Sequence, residues 1–207
     1  QKLNIPPVLN FGPCLAIGRL EIVATEIAAE LGVDLPQLPL VLSAAQWLEE
    51  QALADGSIDA IATEALYKEA DLVIIGLYPQ ATVDWLLENM PKMKKGCVIV
   101  DMVGVKQFMV DHLEQAALDA GVHYVGGHPM AGREFSGLDY SLPTLFDGAS
   151  MIFVPTKSST ERVLEQLEAY FMSLGFGQTV RCTAQQHDHM IAFTSQLAHV
   201  VSSAYIK

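Results

Sequence analysis

The chain of 207 residues carries 12 Lys and Arg against 24 Asp and Glu, a formal net charge of −12, and is 51% hydrophobic and 17% charged. It is long and apolar enough for one large domain, or a medium one with part of another, which excludes a disordered chain, and its acidity speaks against nucleic acid or an anionic membrane as partner. Cys14, Cys97 and Cys182 are odd in number and far apart, so they suggest neither a disulfide framework nor a metal cluster; with no membrane-spanning apolar run and no signal-peptide pattern, a reducing cytoplasm is expected.

In chain order, "VLNFG" (8–12) reads as a strand and "CLAIGRLEIVATEIAAELG" (14–32) as a helix. "DLVIIGLYP" (71–79) is a continuous apolar run closed by proline, the pattern of a strand buried on both faces. "TVDWLLENM" follows with helical spacing at Val83, Leu86, Leu87 and Met90 and stops before Pro91. "GCVIVDMVG" (96–104) is a second buried strand, and "KQFMVDHLEQAALDAG" (106–121) a second helix ended by Gly121. "VHYVGG" and "ASMIFVPT" add strands. "SSTERVLEQLEAYFMSLGFG" reads as a helix opened by a capping box of Ser158 and Glu161, with apolar residues at 163, 164, 167, 170, 171 and 174. This alternation predicts an α/β layered domain with a mainly parallel sheet.

In such sheets ligands bind outside the carboxyl ends of the strands. "GLYP", "DMVGVK" and "GGHPMAG" would all open onto that one edge. His128 stands there after two glycines and before Pro129, which fixes its own φ and disfavours helix at His128.

"VGGHPMAGREFSG" (125–137), with "DMVGVK" before it and "LFDGASMIFVPT" after it, resembles the prephenate dehydrogenase family. "QQHDHMIAFTSQLAHVVSSAYIK" (185–207) is similar to the H-D-x(6)-S-x-L-x-H helix with which that family's helical dimerisation domain begins. The resemblance covers residues from about 50 to 207. It implies a doubly wound, Rossmann-like domain over 1–183, followed by the first helix of an all-helical dimerisation domain over 184–207. It also implies a homodimer and an NAD- or NADP-dependent oxidative decarboxylation of prephenate or arogenate, on the route to tyrosine.

By the same resemblance His128 is the base that takes the ring hydroxyl's proton, a role that suits imidazole. Arg133, Glu134 and His187 are then substrate-binding, and Gly12, Leu77, Tyr78, Pro79, Val103 and Gly104 cofactor-binding. The two glycines before His128 are expected to let backbone and cofactor approach closely. Asp101 is expected to be structural and Lys106 to support the next loop. No metal is implied.

Three departures stand against the family pattern. Gly104 occupies a position where many members carry serine. The family continues for roughly another helical domain beyond Lys207. And where a dinucleotide fold opens with G-x-G-x-x-G, this chain has Gly12-Pro13-Cys14 and then Gly18, with Ser43 rather than an acidic residue after "LPLVLS". Two readings stay open: an active oxidoreductase whose cofactor contacts come mainly from the later strands, or a non-catalytic or truncated relative that folds without productive cofactor binding.

Overall fold

The computed structural model describes residues 14–17, 54, 64–132, 142 and 144–205. Its strands, β1 (Cys14–Ile17), β2 (Leu72–Ile75), β3 (Val98–Asp101), β4 (His123–Pro129), β5 (Ser150–Pro155) and β6 (Gln178–Arg181), form one sheet in that order. Every neighbouring pair is parallel except β4 and β5, which run antiparallel with His128 opposite Ile152. Helices α1 (Glu64–Tyr67), α2 (Pro79–Asn89), α3 (Gln107–Ala120), α4 (Glu161–Ser173), α5 (Ala184–Ile191) and α6 (Leu197–Tyr205) complete the described chain.

Alternation along the strands divides the core in two. Val73, Ile75, Ile99 and Tyr124 face Val83 and Leu86 of α2 and Met109, Leu113 and Ala117 of α3. Their neighbours Leu72, Val98, Val100 and Val125, with Met151 and Phe153 of β5, face Val163, Leu164, Leu167 and Phe171 of α4. Both faces are covered by helices, so β2 and β3 are apolar almost throughout. The expected α/β architecture is the observed one.

Local expectations differ in four places. Cys14–Ile17, inside the stretch read as a helix, forms a strand, while the strand read at 8–12 and the rest of that helix lie outside the described residues. A four-residue apolar run set off by Pro13 and Gly18 is too short for periodicity to separate strand from helix, and pairing with β2 decides it. β6 was not anticipated: Gln178-Thr179-Val180-Arg181 has no apolar run to announce it. Arg181 there reaches Glu168 and Glu161 of α4, which ties the strand to that helix.

The cap of α4 is Thr160, whose hydroxyl accepts from the Val163 amide, and not Ser158. Ser158 is buried instead and accepts from the Tyr124 amide at 2.9 Å. Finally, the helical run after 184 is continuous but irregular. Residues Ala192–Gln196 form a π turn between α5 and α6. Gly121 does end α3 as expected, with a left-handed φ of 68°.

The two glycines of β4 answer a packing demand. A Cβ at Gly126 would lie 3.0 Å from Cδ of Lys106 and 3.2 Å from Cβ of Val154. One at Gly127 would lie 2.5 Å from the Asp101 carbonyl oxygen and 2.7 Å from Val100 Cγ1. Both glycines are buried, so the expectation that they open the backbone to a cofactor is corrected: they admit the neighbouring strand and a lysine stem. Gly127→Ala should therefore destabilise the domain by roughly 1–3 kcal/mol through overpacking against backbone that cannot yield cheaply. Urea unfolding checks this, and an unchanged midpoint would show that the strands accommodate the methyl group.

Candidate active site

Strands β2, β3 and β4 are mutually parallel, so their carboxyl ends share one edge of the sheet. Tyr78 and Pro79 lie there as N-cap and first residue of α2, and Val103 and Gly104 follow β3. Leu77 and Val103 are buried in the core, so only their backbone reaches the edge. Tyr78 is half exposed, and a Cβ at Gly104 would meet nothing closer than His128, at 3.8 Å from Cε1 and 3.9 Å from Nε2. Gly76, just after β2, is more open, with nothing within 4 Å of a Cβ there. Gly12, Arg133 and Glu134 lie outside the described residues.

Beneath this edge lies a buried charge layer. Asp101, at the end of β3, is fully buried and accepts from the Val103 amide at 2.8 Å and the Lys106 ammonium at 2.5 Å through Oδ1. Its Oδ2 accepts from the Tyr124 hydroxyl at 2.6 Å. Lys106, also fully buried, donates further to the Val103 carbonyl. Its position next to Gly126 explains the geometry: with no side chain at 126, the lysine stem passes between Tyr124 and His128, which share that face of β4. Burial pulls the Lys106 ammonium below its usual range against the opposing pull of Asp101 and then Asp188. Burial, and then the Asp101 charge, push the Tyr124 hydroxyl well above its own.

His128, half-buried at the end of β4, is tied back from this layer to α5. Its Nδ1 lies 2.8 Å from Nε2 of His187, and His187 Nδ1 lies 2.7 Å from Oδ1 of Asp188. The helix that carries both residues starts at a true capping box: the Thr183 hydroxyl accepts from the Gln186 amide, and the Gln186 side chain accepts from that of Thr183. Asp188 in turn accepts from the Lys106 amide at 2.8 Å and the Gln107 amide at 2.9 Å. It is thus the side-chain cap that α3 lacks within its own segment.

Burial works against the charge of Asp188. The bonds from His187, Gln107 and Lys106 outweigh it and hold the carboxyl below its ordinary value. Burial first, then the positive charge of Lys106, lower the pKa of His128 to about 4. The imidazole is therefore neutral throughout the physiological range, with Nε2 turned toward the open side of Gly104.

Sequence reasoning placed His128 at this edge, and the structure brings Gly104 beside it. His187 stands one layer further back, fully buried with both ring nitrogens engaged. One contributor was missed: Asp188 was visible only as the second letter of "HD". Asp101 and Lys106 have the structural and loop-supporting places expected of them, but their pairing was not foreseen. A cavity of about 330 Å³ between Val110, Val154, Arg181, Cys182 and Gln186 lies off this array and is lined by neither histidine.

A family model described as prephenate dehydrogenase, nucleotide-binding domain, matches residues 42–178. The prephenate dehydrogenase of Bacillus subtilis is 30% identical over 164 residues, covering 76% of this chain and 44% of that protein. A crystal structure of prephenate dehydrogenase from Aquifex aeolicus, 26% identical, superposes with a TM-score of 0.68 over 76% of this chain and 56% of its own. The structure of that enzyme in complex with hydroxyphenyl propionate and NAD+ shares the fold, with a TM-score of 0.71 at 22% identity over 94% of this chain and 68% of its own.

Residues 1–61 match a different model, that of the prismane/CO dehydrogenase family. The carbon monoxide dehydrogenase of Methanocaldococcus jannaschii is 67% identical over 57 residues, 28% of this chain and 9% of that protein. The segment that lacks the glycine fingerprint is the segment with this second likeness. The chain spans about half the length of the curated prephenate dehydrogenases it matches.

Proposed function

The chain belongs to the prephenate dehydrogenase family, whose nucleotide-binding domain it carries, and from that premise we propose that it serves an NAD- or NADP-dependent dehydrogenase of tyrosine biosynthesis. The substrate is prephenate or arogenate, and the product 4-hydroxyphenylpyruvate or tyrosine. The observation that carries this reading is the neutral His128, anchored through Nδ1 with Nε2 toward the open edge at Gly104. The substrate's ring hydroxyl gives its proton to Nε2 as hydride leaves the same carbon. The ring carboxylate departs as carbon dioxide, its bonding electrons completing the aromatic ring. A nicotinamide, when bound, supplies the hydride acceptor.

The residues at the edge fit such a group. Gly76 leaves open space beyond β2 and Gly104 leaves room for no more than contact with His128, and Leu77, Tyr78, Pro79, Val103 and Gly104 would hold the ring end of the cofactor. Gly12 is assigned to its phosphates, and Arg133 and Glu134 to the substrate's charged groups.

Exposure changes along this run past Ile191, seven residues beyond the boundary expected at 184. Up to Ile191 the helical run is docked on the sheet edge, but Phe193, Leu197, Val200, Val201 and Tyr205 beyond it are exposed, at helical spacing. We read 184–207 as the start of a helical dimerisation domain, and the protein as a cytoplasmic homodimer. Among the described residues no helix is long and apolar enough to cross a membrane.

The second reading, a relative that folds without productive cofactor binding, is favoured by one observation. The likeness of residues 1–61 to carbon monoxide dehydrogenase falls where the pyrophosphate loop belongs. Calorimetric titration of the chain with NAD and NADP separates the two. The expected result is measurable binding of one of them, weakened by on the order of 1.5–3 kcal/mol per charge-assisted amide bond lost from that loop, and tightened when a G-x-G-x-x-G loop is introduced. No heat with either dinucleotide would establish the second reading.

A further inference from the structure

We propose that Asp188 is a positioning residue that sets the tautomers of both histidines and so decides which nitrogen of His128 faces the open edge. This rests on the reading of His128 as the base. Three N–H groups converge on the one carboxylate: the Lys106 and Gln107 amides and His187 Nδ1. The two amides are donors without choice, since they open α3 and have no partner within the helix. They hold the carboxylate in place and favour its ionised form.

A carboxylate that is ionised can only accept, so His187 Nδ1 must carry a hydrogen. His187 Nε2 is then the acceptor in the contact with His128 Nδ1 at 2.8 Å, which puts the hydrogen on Nδ1 of His128. The His128 Nε2 is left as the basic nitrogen, on the side where Gly104 leaves room. The direction of every hydrogen in the chain follows from one charge more than one residue away from the base. In water neutral imidazole favours the opposite tautomer, with hydrogen on Nε2, and that form would present a donor to the edge. The hydrogen bond at the far nitrogen is what selects between them.

The same carboxylate couples this selection to the fold. It joins α5 to the amino terminus of α3, residues 81 and 82 positions apart in sequence, so the histidines are oriented only when the two helices are docked. His187 is completely buried and touches no solvent, which keeps water from competing for either of its nitrogens.

Nitrogen-15 NMR of the ligand-free chain at neutral pH tests this directly. Both rings should show a protonated, pyrrole-like Nδ1 and an unprotonated, pyridine-like Nε2. A hydrogen on Nε2 of either ring, including a doubly protonated His187, would overturn the proposal. In Asp188→Ala, His187 should revert to the Nε2-protonated form and His128 with it. Should that variant fail to fold, His187→Phe removes the acceptor and carries the same expectation for His128. An unchanged His128 tautomer in whichever variant folds would show that the chain does not set it. Because no cofactor is present, a wrong tautomer leaves the dehydrogenase reading standing, and failure to bind NAD or NADP leaves the tautomers standing.

Discussion

Lys106→Met should destabilise the domain by about 3–5 kcal/mol, the usual cost of stranding one partner of a buried ion pair. Methionine matches the length and apolar stem of lysine, so the packing beneath Gly126 is largely kept. What is lost is the counter-charge of Asp101, which is fully buried and would retain only the Val103 amide and the Tyr124 hydroxyl as partners. Urea unfolding at neutral pH measures the effect, and a loss below about 1 kcal/mol would mean that Asp101 takes up a proton at little cost. The same variant has a second, independent consequence. The lysine charge is, after burial, the next cause of the lowered pKa of His128, so its removal should move that pKa back toward the ordinary value of histidine.

His128→Asn should lower turnover by about 100- to 10,000-fold in the full-length enzyme, the range general-base assistance spans. Asparagine retains a polar group of similar reach but no basic nitrogen, and substrate affinity should change far less. The pH profile sharpens the test. The base works only when deprotonated and its pKa is lowered to about 4, so kcat/KM should stay level as pH falls from 7 to 5 and drop near 4. An ordinary histidine would give that drop near 6.5. The limb should vanish in the variant. Near-normal turnover with an unchanged profile would make His128 a structural residue.

The same shift has a stability sign. Between pH 6.5 and 4 the unfolded chain takes up a proton at His128 that the folded chain refuses. Folding stability contributed by the neutral ring is therefore complete above pH 6.5 and declines as pH falls through that window. Lys106→Met, by raising the folded pKa, should shrink the decline.

The layered architecture and the place of His128 at the sheet edge were legible in the sequence. The apolar run 71–79, closed by proline, and the run 96–104 between two glycines read as strands covered on both faces, and the helical spacing between them fits a layered α/β arrangement. His128 at the close of such a strand, inside the motif "GGHPMAG", then falls at the edge where ligands bind. These signals are local, carried by neighbours a few positions apart.

The remaining features have no local signature. β6 is a polar edge strand, recognisable solely by the partner beside it. Gly127 is small because a carbonyl of another strand presses on it, and Gly126 because a lysine stem from beyond β3 passes over it. Asp188 caps a helix that begins some eighty residues earlier and orients a histidine sixty residues away, through bonds that exist only once α5 has docked. Even the basicity of His128 was hidden. Composition suggests an imidazole that titrates near neutrality, whereas burial and the charge of Lys106, brought together by the fold, hold it near 4. Periodicity reports which face of an element is buried. It does not report which charges the burial brings together, because Coulombic and hydrogen-bond energies depend on distances through space that are set only when the layers close.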